Sequence, residues 1–190
     1  ITLVLVLVVP LLTMRCIAEE RKQGTWSALM ASPVTSSALV LGKFAGVMGP
    51  LTLIWALVAA MPLVLATATP LDMGILAAGL IGLWLITACF AALGLLASTL
   101  TREPSLAAAI SLTAILLAWL AYAVSSVDWQ PTVLGATLDP AAVIRGISPI
   151  GHLDRLLRGL IALSDLVYFA AFVAACLALA SMLLLAAKRC

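Results

Sequence analysis

Charge is what this sequence has least of. Only 9% of its 190 residues are Asp, Glu, Lys or Arg, against about 25% in an ordinary soluble domain. With 65% of residues hydrophobic, a soluble fold could not cover its own apolar surface. A net charge of +2, with no basic face or stripe, gives no footprint for a nucleic-acid partner. The single histidine, His152, excludes a bis-histidine haem site and leaves a zinc ion without an ordinary ligand set, so it reads as an interfacial polar residue. Four cysteines, Cys16, Cys89, Cys176 and Cys190, show no CxxC spacing, and two of them lie inside apolar runs. Neither a disulfide framework nor a metal site follows, and they read as small hydrophobes.

Catalytic signatures are missing as well. Gly42-Lys43-Phe44 lacks both the upstream glycine and the hydroxyl residue of a phosphate loop, so the chain does not bind ATP in that way. No Gly-x-Ser-x-Gly elbow and no His-Glu-x-x-His pair occurs. No ionisable residue falls at the centre of an apolar run, where proton- and ion-coupled carriers keep their relay. The chain is therefore not expected to be an enzyme, and any active transport must take its energy from elsewhere.

What is present is a series of long apolar runs. About twenty such residues cross ~30 Å of hydrocarbon as a helix, and runs of that kind extend from about Ser37 to Ala66, Met73 to Thr99, Ser105 to Val127 and Leu166 to Ala187. A shorter run, Ile1 to Leu12, opens the chain without the charged start of a signal peptide, which fits a piece that has lost upstream residues. The expected fold class is an all-α polytopic bundle in one domain over residues 1–190. In the second run Gly42, Gly46 and Gly49 lie on roughly one side and allow close helix approach, while Pro50 and Pro62 each remove a backbone donor and favour a bend. Packing and hinging are both open readings for these five residues. Lys43, near the start of that run, can snorkel to the interface. Trp119 and Tyr122 are placed as an aromatic anchor near the far end of the fourth.

Two polar stretches interrupt the oil. The first, residues 14–36, carries Arg15, Glu19, Glu20, Arg21 and Lys22, the densest charge in the chain. The first helix is expected to continue through Ala18 to Lys22 until Gly24 stops it. Thr25 is a candidate N-cap for a short helix whose Trp26, Leu29 and Met30 form one apolar face. The second, residues 128–165, interleaves charge with Ile and Leu at helical spacing and reads as one or two amphipathic helices at the interface.

Counting Lys and Arg by side gives an orientation. Arg15, Arg21, Lys22, Lys43, Arg102, Lys188 and Arg189 fall on alternate connections, against Arg145, Arg155 and Arg158 on the other side. The positive-inside rule then puts the first stretch and the C-terminus in the cytosol and residues 128–165 outside.

The residues also carry a resemblance. Pro10 to Arg15, Ala18 to Arg21, Gly24-Thr25, Ser32 to Val34 and Leu41 to Lys43 are similar, in order and spacing, to the signature of ABC-2 type transporter permeases, and most of all to the gliding-motility-associated, GldF-like subgroup. Ser148, Pro149 and His152, with Arg158, Gly159, Asp165 and Tyr168, resemble that family's extracellular segment before its last span. The resemblance implies a six-span permease subunit, here without its first span, in a bacterial inner membrane. It implies pairing with a second permease half and with separate ATP-binding-cassette subunits that hold ATP and Mg, the chain itself carrying no cofactor. It further implies that Arg15, Glu19, Glu20, Arg21, Lys22, Gly24, Thr25 and Trp26 form the element that couples to the ATPase. Membrane lipid is the remaining expected partner. The expected function is export driven by the partner's ATP hydrolysis. The competing class is a non-transport membrane scaffold or assembly protein that uses the same helices only for packing.

Overall fold

The computed structural model describes residues 2–24, 35–65, 72–125, 132–133, 136–137, 146, 148–160 and 162–189. Seven helices occur among them. They are α1 (Thr2–Thr13), α2 (Ala18–Lys22), α3 (Ser36–Leu65), α4 (Met73–Leu100), α5 (Pro104–Ser125), α6 (Pro149–Leu157) and α7 (Leu163–Arg189). Two-residue strands β1 (Thr132–Val133) and β2 (Ala136–Thr137) pair antiparallel within the second polar stretch, where the sequence pattern suggested only helix. That small ribbon leaves an all-α bundle.

Four helices are long and apolar enough to cross a membrane: Ser36–Leu65, Met73–Leu100, Pro104–Ser125 and Leu163–Ala186. These match the four apolar runs to within a few residues at either end. At 1.5 Å per residue, the 12 described residues of α1 amount to about 18 Å.

Helix α4 is the axis of the fold. Asp72 caps it, its carboxylate accepting from Gly74 N at 2.9 Å and Ile75 N at 3.4 Å. Thr101, in extended conformation, ends it, and Pro104 at the first position of α5 starts the next helix at once. Its central position follows from composition. Between lipid-facing helices there is no water to expel, so association rests on close packing and hydrogen bonds, which small residues favour. The buried surface of α4 is largely small: Ala78, Gly82, Ala88, Ala91, Ala92 and Gly94 among others. By contrast α3 buries only Val40, Met48, Leu51 and Ala59. The main core gathers Val9, Leu51, Ile86, Phe90, Ile115 and Phe169 around α4, and a second cluster, with Ile17, Val40, Leu95 and Leu184, closes the end where α1 turns into α2.

One expectation here needs correction. The first helix does not run on to Lys22: it ends at Thr13, residues 14–17 form a turn, and α2 starts afresh at Ala18. The turn forms because Met14 O and the Ile17 and Ala18 amides are bonded from outside the helix, as described below. Helix α3 continues unbroken through Pro50 and Pro62. Among the described residues a Cβ added at Gly42, Gly46 or Gly49 would meet nothing within 4 Å. The close approaches are made instead on α4. A Cβ at Gly82 would lie 3.0 Å from Leu156 Cβ, and one at Gly94 2.0 Å from Thr13 Oγ1.

Candidate functional site

The two polar stretches meet opposite ends of α4. At one end sits the hinge, residues 14–24. Ile17 occupies the N-cap position of α2 and has no side-chain acceptor to offer. The cap comes from α4 instead: Ser98 Oγ accepts from Ile17 N at 3.0 Å and from Ala18 N at 2.9 Å, and donates to Met14 O at 3.2 Å. One hydroxyl thus bonds the carbonyl just past the end of one helix and the first amides of the next. Ser98 is fully buried.

Around this joint the charges divide by role. Lys43 reaches back from α3, donates to Cys16 O at 2.7 Å and pairs with Glu20, so its ammonium is directed at the hinge, as a snorkelling lysine at the interface would be. Arg21 Nη1 donates to Thr99 O at 2.8 Å, using one of the last carbonyls of α4. Burial, with Arg102 nearby, draws the Arg21 pKa down from its usual value. Lys22 meets Glu103 at 2.9 Å in the turn between α4 and α5. Arg15, Glu19 and Lys22 remain the outward-facing charges, with side chains 69%, 36% and 57% exposed. Gly24 stops α2 in the left-handed region at φ 75°, as the sequence suggested. Thr25 and the Trp26, Leu29 and Met30 face lie outside the described residues.

At the other end of α4 lies α6. Its buried face, Ile150, Leu153 and Leu156, is the apolar half of the amphipathic pattern, and Leu153 and Leu156 rest on Gly82. The helix ends in a Schellman motif. Leu160 N donates to Arg155 O at 3.1 Å and Gly159 N to Leu156 O at 3.0 Å, with Gly159 at φ 80°. Arg158 is exposed and pairs with Asp154 at 3.0 Å. At the N-terminus Pro149 fills the first position, and the buried Ser148 hydroxyl has no partner among the described residues.

His152 lies on the packed side of α6. It is buried, because α6 folds under the start of α7 and gives it partners there. Nε2 donates to Gly146 O at 2.9 Å, and Nδ1 stands 2.7 Å from Asp165 Oδ1. The ring stacks on Tyr168 at 3.9 Å. Asp165, fully buried in the first turn of α7, also takes Arg155 Nη2 at 2.5 Å, and that carboxylate pushes the Arg155 pKa up and holds the guanidinium charged. Nη2 is also 2.6 Å from His152 Nδ1. Asp165 thus gathers Arg155 and His152 across the α6–α7 junction.

Sequence reasoning brought Ser148, Pro149, His152, Arg158 and Gly159 together on one element, which the structure does too. It missed Arg155 as a partner of Asp165, although the spacing from His152 to Arg155 places both on one helix face. It also missed Ser98, for which a buried hydroxyl one turn beyond Gly94 was the only available signal. Between α3, α4 and α7 an apolar cleft of about 820 Å³ opens, with Phe44, Met48, Trp84, Phe169 and Val173 in its walls. Among the described residues no group of three or more His, Cys, Asp or Glu is placed to hold a metal ion.

This arrangement can hold a helical hinge against a buried axis and present charge at its outer side, and among the described residues it assembles no nucleophile with a base. A family model described as ABC-2 family transporter protein matches residues 1–189. Neither a curated protein nor a solved structure matches the chain.

Proposed function

The chain belongs to the ABC-2 transporter family, and from that premise we propose that it is one membrane-spanning half of an ATP-driven exporter whose hinge rests on a separate ATP-binding-cassette subunit. Family membership implies a multi-pass permease component working with such an ATPase. The observation that carries the finer reading is the hinge itself. Arg15, Glu19 and Lys22 are held out from the bundle, while Ser98, Thr99 and Lys43 fasten the backbone and inner charges behind them. A surface that is charged, exposed and backed by a rigid helix suits a contact that must transmit force.

Four further assignments belong to this reading. The distribution of Lys and Arg supports an inner-membrane orientation with the hinge and C-terminus in the cytosol. The open face at Gly42, Gly46 and Gly49 on α3 supports a second permease half packing there. The order and spacing of Pro10 to Arg15 and Ala18 to Arg21 support the GldF-like subgroup. ATP and Mg are assigned to the partner.

The test is co-purification of the chain with an ATP-binding-cassette subunit, comparing wild type with Glu19→Lys plus Lys22→Glu. Lys22 is exposed and Glu19 partly so, and neither belongs to the buried core, so the fold is expected to survive while the complex is lost. An unchanged complex with unchanged ATP turnover would take the hinge out of the mechanism. A chain that recruits no such subunit, from a gene with no ATPase reading frame beside it, is a membrane scaffold instead.

A further inference from the structure

Ser98 has no part in the hinge's exposed surface, yet more of the hinge's backbone converges on it than on any other side chain described there. A hydroxyl has one proton to donate and two lone pairs to accept with. At Ser98 all three are committed to the hinge: Met14 O receives the proton, and the Ile17 and Ala18 amides fill the lone pairs. The bonds cross 80 to 84 residues of sequence, and the two from the amides are buried. The neighbouring tie between Lys22 and Glu103 has both side chains more than half exposed, and a pair of that kind contributes little and is screened by salt. One turn earlier on the same face of α4, Gly94 lets the end of α1 lie directly against the helix. The hinge is therefore seated on α4 by a Gly94–Ser98 step.

At its other end α4 is seated just as closely on α6. Leu156 Cβ and Leu153 Cδ1 would lie 3.0 and 3.1 Å from a Cβ at Gly82. The 16 residues from Gly82 to Ser98 correspond to about 24 Å of helix at 1.5 Å per residue. A single helix thus runs from the hinge to the apolar face of α6, the helix that also carries His152 and Arg155.

We propose that Ser98 is the positioning residue that makes the hinge and α4 move as one body, so that a push on α2 from the ATPase side is delivered to α6 at the far face. The transmission half of this statement rests on the coupling reading above; the one-body half does not. Without the hydroxyl, Ile17 cannot cap its own helix, and the hydrogen bonds left between α2 and the end of α4 reduce to that of the Arg21 side chain on Thr99 O, which leaves the start of α2 unfastened.

Two measurements test it. In the full chain in lipid nanodiscs, hydrogen exchange at the Ile17 and Ala18 amides is expected to speed up about tenfold in Ser98→Ala, the scale of a lost hydrogen bond. Exchange in α5 is expected to stay as in wild type, and Ser98→Thr, which keeps the hydroxyl, to restore protection. Unchanged exchange in Ser98→Ala overturns the one-body statement with no ATPase present. In the complex with the ATPase subunit, an environment-sensitive dye on Leu160→Cys, exposed just beyond α6, is read in a chain whose native cysteines are alanine. The dye signal that follows ATP addition is expected to vanish in Ser98→Ala while the complex and basal ATP turnover persist, and to return in Ser98→Thr. A signal that survives Ser98→Ala, or a dye that is silent in wild type, overturns transmission through α4. Failure of the chain to bind an ATPase would instead sink the coupling reading and leave the exchange result to decide the one-body statement.

Discussion

Thr13 lies so close to Gly94 that a Cβ added to the glycine would fall 2.0 Å from Thr13 Oγ1 and 2.8 Å from Thr13 Cβ. Thr13 cannot easily give way, because it is fully buried and its hydroxyl donates to Val9 O at 2.9 Å and lies 3.2 Å from Pro10 O. The contact fixes where α1 ends and so where the hinge begins.

Gly94→Ala is accordingly expected to destabilise the chain by about 1–3 kcal/mol, the usual cost of overpacking. Thermal unfolding in detergent measures it. Adding Thr13→Ala is expected to recover only part of the loss, since Thr13 Cβ alone would still be too near. Full recovery would mean that the helices are free to separate at this point.

Asp165→Asn removes the charge on which Arg155 and His152 converge. Breaking a fully buried pair costs about 3–5 kcal/mol; Arg155 is 42% exposed and can turn to water, so a loss of about 2 kcal/mol is expected here. The same unfolding measurement applies, and a neutral result would show that the cluster does not hold α6 to α7.

Gly159→Ala is expected to loosen α6 from α4. The residue sits at φ 80°, where a side chain costs roughly 1 kcal/mol, and its Cβ would come within 2.9 Å of Ile75 Cγ1. Faster hydrogen exchange over residues 150–157, with α5 unchanged, is the expected signature.

Cys16 is expected to be a slow thiol. Burial pushes its pKa above the ordinary thiol value, Lys43 offsets this in part, and Glu20 adds to it. A raised pKa leaves less thiolate at any pH below it, so alkylation near neutral pH should be slower than that of a free thiol and should climb only above the usual thiol range. Alkylation as fast as a free peptide thiol at pH 7 would mean that the turn is open.

Much of the bundle was legible because its signal is local. Twenty apolar residues in a row have only one way to satisfy their backbone in lipid, so the four spans fell within a few residues of their runs. Gly24 was readable as a helix stop for the same reason: it follows a charged, helical stretch and adopts the left-handed geometry that glycine tolerates best. Contacts between distant residues were not legible. Gly42, Gly46 and Gly49 carry the stronger small-residue pattern, yet within the chain the close approaches fall on Gly82 and Gly94. Spacing along one helix does not say which neighbour arrives. The turn at residues 14–17 was missed likewise, since the sequence there is compatible with helix and the groups that interrupt it come from Ser98.

The sequence by itself determined the medium, the number of long spans, and the two polar stretches at which chemistry or contact can occur, because hydrophobic length and charge scarcity act residue by residue. Only the tertiary structure decided that α4 is the axis, that Ser98 caps a helix some eighty residues away, and that His152 is buried beside Asp165 and Arg155. Those outcomes depend on which small surfaces meet and which buried polar groups find partners, and such choices are made only when the helices pack.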